Sequence, residues 1–370
     1  MLSQVLRTAP IRYIAQSGAI KHFLPCYLKD VHVLVVAGRT AWERAGDVMQ
    51  QALSAGNCSF HLIHAGQQCY WQLAEELADQ AKDLDASWVV GVGGGKIMDL
   101  AKLVGEIAAL PVALIPTTPT TCACWTSLSV VYDSEGKNPA SSELQHSPDL
   151  TLVDFEILAS APARHLAAGI LDALAKWYEI SSLVDTTDRH HPSIWTALNN
   201  AKLCRDLLFE RGPKAVSELG QGQMTETVEQ AIWVSMALPG IASGMVTDRY
   251  KFSIAHAFYN HLTRIENARK TSLHGEQVAF GIVIQMLLMN PVHSEINDFL
   301  RLCMGMNAPM TLNGLGLHED DYPLLDEVIS GILSEPGIAN LPFSTSKASL
   351  WAAVQEADRR GRISRQNAHI

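Results

Sequence analysis

The chain has 370 residues, 48% of them hydrophobic and 18% charged, and a formal net charge of −10. That length accommodates two domains or one large one with a substantial core. The acidic balance excludes a generally basic nucleic-acid or membrane-binding surface, leaving room only for a local basic pocket around a small anion.

The first 150 residues alternate between two periodicities. His32 to Ala37 is an apolar, β-type run, and Thr40 to Ala55 has helical spacing and stops at Gly56. Ser59 to Ala65 reads as a strand, Tyr70 to Leu84 as a helix, Trp88 to Val92 as a strand, Lys96 to Ala109 as a helix and Val112 to Ile115 as a strand. This β-α-β-α-β-α-β order predicts a parallel sheet covered by helices, with ligands at the carboxyl ends of the strands. Ser127 to Tyr132 reads as a short strand before a polar turn, Asp133 to Lys137, and Leu150 to Val153 is a further apolar segment. After Ala161 helical patterns dominate: Arg164 to Leu183, Ile194 to Phe209, Thr225 to Ile241, Tyr250 to Leu262 and Val278 to Met289. A domain boundary is expected near residue 160, dividing the chain into 1–160 and 161–370, and the last ten residues are expected to fray.

The seven cysteines are an odd number without framework spacing, which reads as reduced thiols. Met1 to Arg7 carries no secretory pattern and no span of about 18 apolar residues occurs. A soluble, cytoplasmic protein is expected, with neither nucleic acid nor membrane as partner.

Gly91-Val92-Gly93-Gly94-Gly95-Lys96-Ile97-Met98-Asp99 is the most informative stretch. Strand, glycines, helix is the geometry that holds a phosphate: glycine lets the backbone approach the ligand, and the helix start offers unpaired N–H groups and a positive dipole end. The spacing is neither the Gly-x-Gly-x-x-Gly dinucleotide fingerprint nor a Walker loop. A tight turn without a ligand is the alternative. In the second half, Asp172 sits inside the apolar run Gly169-Ile170-Leu171-Asp172-Ala173-Leu174. A buried carboxylate needs a partner, either Lys176 four residues on or a metal. His256 and His274 stand in Ala255-His256-Ala257 and Leu273-His274-Gly275-Glu276. One Asp and two His suit Zn²⁺ or Fe²⁺ and leave a coordination position open for substrate.

Taken in order, these segments resemble the glycerol dehydrogenase branch of the iron-containing, metal-dependent alcohol dehydrogenase family. Gly93-Gly94-Gly95-Lys96-Ile97-Met98-Asp99 is similar to its pyrophosphate loop, and Pro116-Thr117-Thr118 through Leu128-Ser129-Val130-Val131-Tyr132 to its nicotinamide-side segment. Gly169 to Glu179 resembles the helix of the metal aspartate, and the two histidine segments resemble those of the metal histidines. The resemblance implies a dehydroquinate synthase-like, Rossmann-like α/β domain, an all-α C-terminal domain and an active site between them, and a homo-oligomer is expected. It implies NAD or NADP, with Gly93, Gly94, Gly95 and Lys96 at the pyrophosphate, Asp99 near the nicotinamide, and Thr117, Thr118, Thr121, Thr126, Leu128 and Tyr132 lining the cofactor. It also implies one divalent metal, zinc before iron, on Asp172, His256 and His274, which form the catalytic centre.

Two departures from the glycerol dehydrogenases shape the expected substrate. Where they carry a polyol-binding aspartate, this chain reads Thr121-Cys122-Ala123-Cys124-Trp125. A thiol is a poor acceptor, so Cys122 argues against glycerol, and the Thr-Cys-Ala-x-Trp form resembles a subgroup associated with hydroxycarboxylates. Cys122 and Trp125 are therefore expected near the substrate. Where the relatives tend to carry Asp after the first strand, this chain has Gly38-Arg39, which favours the 2′-phosphate of NADP. The expected reaction moves a hydride between the nicotinamide and a small 2-hydroxy or 2-oxo acid. The alternatives are a glycerol or other polyol dehydrogenase and, further off, a lyase resembling 3-dehydroquinate synthase or a regulator without turnover. Arg249, seven residues before His256, would share its face on a continuous helix about 10 Å away and meet the acid's carboxylate.

Overall fold

The computed structural model describes residues 6–66, 69–137, 139–185, 188, 191–289 and 293–367. The sequence runs β1 (Tyr13–Gln16), α1 (Ala19–Tyr27), β2 (His32–Ala37), α2 (Arg39–Ala55), β3 (Ser59–His64), α3 (Trp71–Asp83), β4 (Trp88–Gly93), α4 (Gly95–Ala108) and β5 (Val112–Pro116). A two-stranded antiparallel ribbon of β6 (Leu128–Val131) and β7 (Ala140–Glu143) follows, then β8 (Leu150–Asp154).

Six strands form one all-parallel sheet in the order β1-β8-β5-β4-β2-β3. Strands β4, β5 and β8 are nearly or wholly buried along their length, as a parallel sheet covered on both faces requires. One face packs on α1 and α2 through Ile20, Leu24, Met49 and Leu53. The other packs on α3 and α4, and its core runs without a break into the helical half, from Leu34 to Ala357. The chain moves outward from β2 to β3 and then returns to the other side of β2 with β4. The crevice beyond the carboxyl ends of β2 and β4 is thus the topological switch point, where such sheets bind ligands.

Beyond Asp154 no strand occurs among the described residues. After α5 (Phe155–Ala159) come α6 (Ala163–Leu183), α7 (Pro192–Gly220), α8 (Glu226–Gly244), α9 (Ile254–Leu262), α10 (Glu266–Thr271) and α11 (His274–Leu288). Three further long helices, His293–Gly305, Tyr322–Ser334 and Lys347–Asn367, complete the bundle. The α/β first half and helical second half are as the sequence predicts. Of the final ten residues, where fraying is expected, 361–367 continue the last helix and 368–370 lie outside the described residues, as do Met1 to Val5 at the start. No helix among the described residues is long and apolar enough to cross a membrane.

Two glycines permit close approaches, one between the two halves and one within the helical half. A Cβ on Gly169 of α6 would lie 1.9 Å from the Pro119 carbonyl oxygen, and one on Gly275 of α11 would lie 1.8 Å from the Ala168 oxygen. Only glycine permits these approaches. The first seats α6, which carries Asp172, against the loop after β5, and the second seats α11, which opens with His274, against α6.

Candidate active site

The glycine turn lies at the carboxyl end of β4. Gly94 is the N-cap of the 14-residue α4, no side chain caps it, and no acidic residue occupies the first turn. The N–H groups and positive end of that helix are therefore available to an anion. A Cβ on Gly94 would approach the Thr118 hydroxyl to 3.2 Å, and one on Gly95 would come within 2.8 Å of the Thr121 hydroxyl, so both threonines stand against the turn. Gly38 caps α2 at the neighbouring strand end, donates its N–H to Val92, and is followed by an exposed Arg39. Lys96 lies with its ammonium 4.5 Å over the Tyr132 ring, and burial, then the charge of Arg269, lowers its pKa.

The other expected cofactor residues are placed more deeply. Thr117 is 2% exposed. Asp99 is buried and ion-paired at 2.9 Å with the equally buried Lys102. Burial raises the Asp99 pKa, and the Lys102 charge opposes that rise without cancelling it. Lys102 also donates to the Thr126 and Leu128 carbonyls and to the Thr126 hydroxyl. The pair thus fastens α4 to the start of β6, and Asp99, Thr126 and Leu128 spend polar groups on that brace.

Asp172, His256 and His274 come together. Each offers a ligand atom, and the three lie within 4.8 Å of one another. Asp172 Oδ1 is 2.9 Å from His274 Nε2 and 3.5 Å from His256 Nε2. Burial pushes the Asp172 carboxyl up, and the two imidazoles outweigh it, holding the group well below the carboxylate range. Glu179, two helical turns beyond Asp172 on α6 and fully buried, completes the arrangement. Its Oε2 is 2.7 Å from His256 Nδ1, while Oε1 accepts the N–H groups of Ser253 and His256 at 3.1 Å each. This orients His256 and, in the neutral ring that a metal requires, would keep the proton on Nδ1 and leave Nε2 facing the cluster as a lone-pair donor. Two neutral imidazoles and one carboxylate, converging with an outer carboxylate in place, fit a divalent metal of the zinc or iron type.

Tyr259, three residues beyond His256, stacks edge-on against His274 at 4.1 Å and shares a 2.9 Å hydroxyl contact with Tyr132. Lys96, Tyr132, Tyr259 and His274 thus form a continuous path from the glycine turn to the Asp172–His256–His274 cluster. Glu179, Tyr259 and Lys102 carry no role in the sequence reading. Glu179 had a signal there, a carboxylate at two-turn spacing from Asp172 in an apolar helix.

Two expectations change. Arg249 and His256 do not share a helix: Asp248–Tyr250 is a separate single turn and α9 begins at Ile254. The Arg249 side chain is 65% exposed, lies 3.6 Å from Asp188 and stacks over Tyr250, so its charge is spent at the surface. Trp125 is buried, donates its indole N–H to the Thr8 carbonyl and packs on Tyr13 at 4.7 Å; it anchors the N-terminal segment rather than a substrate. Cys122 is half-buried beside the cluster without joining it, and burial, then the charge of Asp172, raises its thiol to about 12.

Comparison with known proteins gives a consistent picture. The family model for the iron-containing alcohol dehydrogenases matches residues 10–155. The chain is 33% identical to a glycerol dehydrogenase of Pseudomonas putida over 95% of this chain and 97% of that one. It is 29% identical to hydroxycarboxylate dehydrogenase A of Escherichia coli over 94% and 96% of the two chains. Among solved structures it resembles a probable glycerol dehydrogenase of Sinorhizobium meliloti, with TM-score 0.85, 27% identity and coverage of 97% and 99%.

Proposed function

The chain belongs to the iron-containing alcohol dehydrogenase family, on its glycerol dehydrogenase-like branch, and from that premise we propose that it is a metal-dependent, NAD(P)-linked dehydrogenase of small polyols and hydroxycarbonyl compounds. The observation that carries this reading is the convergence of Asp172, His256 and His274 at the end of the path from the glycine turn. The similar glycerol dehydrogenases favour a neutral substrate, and so does the commitment of Arg249 to Asp188.

When bound, a divalent metal supplies Lewis acidity at the substrate oxygen and the nicotinamide supplies or accepts the hydride. Asp172, His256 and His274 would hold the metal, and Glu179 holds His256 in the binding tautomer. Residues 1–160 would carry the cofactor and 161–370 the metal. The uncapped start of α4 would receive the pyrophosphate, with Gly93, Gly94 and Gly95 allowing its approach and Thr118 and Thr121 beside it. Tyr132 and Tyr259 fix the wall between cofactor and metal. Arg39, exposed at the end of β2, favours NADP over NAD, and two imidazoles with one carboxylate suit zinc or iron alike.

Acceptance of 2-hydroxy acids is a second reading. It is supported by Cys122, whose thiol stays uncharged at neutral pH and so does not repel a carboxylate. Purified protein, loaded with Zn²⁺ or Fe²⁺ and given NAD(H) or NADP(H) with polyols, hydroxycarbonyls, 2-oxo acids and simple aldehydes, tests both. Turnover of polyols and hydroxycarbonyls is the expected result. Turnover of simple aldehydes alone would overturn both readings.

A further inference from the structure

Three successive turns on one face of α6 meet three consecutive residues at the start of α11. Arg164, Ala168 and Asp172 follow one another at four-residue spacing, which keeps them on the same side of the helix. Asp172 Oδ1 is 2.9 Å from His274 Nε2. The Ala168 carbonyl oxygen occupies the space that a Cβ on Gly275 would need, 1.8 Å from it. Arg164 grips Glu276 with two bonds, Nε to Oε1 at 2.6 Å and Nη2 to Oε2 at 2.7 Å. Residues 164, 168 and 172 are thereby matched to 276, 275 and 274, and His274 stands at one end of that register.

The contact between Arg164 and Glu276 reaches beyond the two side chains. Glu276 is buried, and its Oε2 also accepts the Leu273 N–H at 2.8 Å, so it caps the helix whose first residue is His274. Arg164 Nη2 donates in addition to the carbonyl of Thr271 at 2.9 Å, the last residue of α10. One guanidinium therefore holds both sides of the link between α10 and α11. The other side-chain bonds of Ser272 and Gln277 run elsewhere: Ser272 donates to the Ala268 and Leu315 carbonyls, and Gln277 to the Ala268 carbonyl and the Ser272 hydroxyl. None of these reaches α6. A planar fork on a buried carboxylate fixes direction as well as distance.

We propose that Arg164 is a positioning residue for His274: by gripping Glu276 and the Thr271 carbonyl it fixes the start of α11 on α6 and so sets the separation of His274 from Asp172. The two residues act through the backbone at 271–276 and touch neither metal nor substrate. The proposal rests on the reading that Asp172, His256 and His274 hold a divalent metal. It complements Glu179, which orients His256 from the far end of the same helix, so that α6 carries one ligand and registers the other two.

The test separates position from stability. It compares wild type, Arg164→Met, Arg164→Lys and the double variant Arg164→Met with Glu276→Gln. Three quantities are measured on the full chain: the melting temperature of metal-free protein, Zn²⁺ affinity by competition with a chromophoric chelator, and the visible absorption of protein loaded with Co²⁺, which reports ligand geometry. Arg164→Met leaves the Glu276 carboxylate buried without its partner and should lower the melting temperature. It should also weaken Zn²⁺ by about 10-fold, the lower end of what outer partners of a metal ligand contribute, and shift the Co²⁺ spectrum. The double variant removes the stranded charge and should recover the melting temperature while its Zn²⁺ affinity stays low and its spectrum stays shifted; it decides the matter alone if Arg164→Met does not fold. Arg164→Lys keeps the charge without the fork and should restore the melting temperature but only part of the affinity. Zn²⁺ affinity that returns together with the melting temperature in the double variant overturns the proposal, as does wild-type affinity with an unaltered spectrum. Wild-type protein that binds no Zn²⁺ or Co²⁺ overturns the metal reading itself; wild type and double variant binding equally overturns only the role of Arg164.

Discussion

Glu179 Oε2 lies 2.7 Å from His256 Nδ1 while its other oxygen accepts the N–H groups that open α9. One buried carboxylate thereby orients His256, a proposed metal ligand, and secures the start of the helix that carries it. Glu179→Gln keeps the shape but weakens the hold on the Nδ1 proton. Metal affinity, measured by competition with a chromophoric chelator, should fall about 10- to 100-fold. Unaltered affinity would remove Glu179 from the site's design.

Metal uptake should be linked to a proton. Burial lowers the His256 pKa, but the Glu179 charge outweighs it and the net is a rise from 6.5 to about 9. A raised pKa means that, in metal-free protein, protonation of His256 adds stability that is full below pH 6.5 and lost as pH rises through 9. The metal needs the neutral ring, so binding at pH 7.5 should release about one proton from this residue, and less as pH approaches 10. Calorimetry in buffers of different ionisation enthalpy measures this. Binding at pH 7.5 without proton release would contradict the assigned protonation.

The close approach at Gly169 leaves no room for a methyl group, whose carbon would lie 1.9 Å from the Pro119 oxygen. Gly169→Ala should destabilise the protein by about 1–3 kcal/mol, in the range of overpacked cores, and loosen cofactor binding by shifting the loop after β5. Thermal melts with and without NAD(P)H report both effects. An unchanged melting temperature would show that α6 does not bear on that loop.

Lys102→Met would leave the Asp99 carboxylate buried without its partner. Breaking such a pair costs about 3–5 kcal/mol, so a large loss in denaturant stability is expected. The double variant with Asp99→Asn should recover part of it. Single and double variants of equal stability would show that the pair is not coupled.

Much of this was legible in the residues because it depends on local pattern. Apolar runs of strand length broken by helical spacing announce the parallel sheet, and three glycines after Val92 announce the turn into α4. Asp172 stands out as a charge in an apolar helix. What escaped depends on contacts distant in sequence. Strand β1 is four residues long and pairs only with β8, more than 130 residues away. Lys102 reads as a surface lysine until β6 folds over it, and Trp125 reads as a pocket residue until Thr8 reaches its indole. Arg249 misled because Tyr250 to Leu262 has helical spacing throughout, whereas the chain breaks at 251–253 before α9 begins.

The central claim is that hydride transfer here requires a metal on Asp172, His256 and His274. Chelator-treated protein, reloaded stepwise with Zn²⁺ or Fe²⁺ and assayed with its best substrate, measures it directly. Activity should be absent without metal, rise in proportion to added ion and level off at about one ion per chain. Asp172→Ala, His256→Ala and His274→Ala should neither bind the ion tightly nor turn over. Full turnover by protein shown to be metal-free by elemental analysis, or near-normal activity of two of the three variants in chelator, would contradict the account.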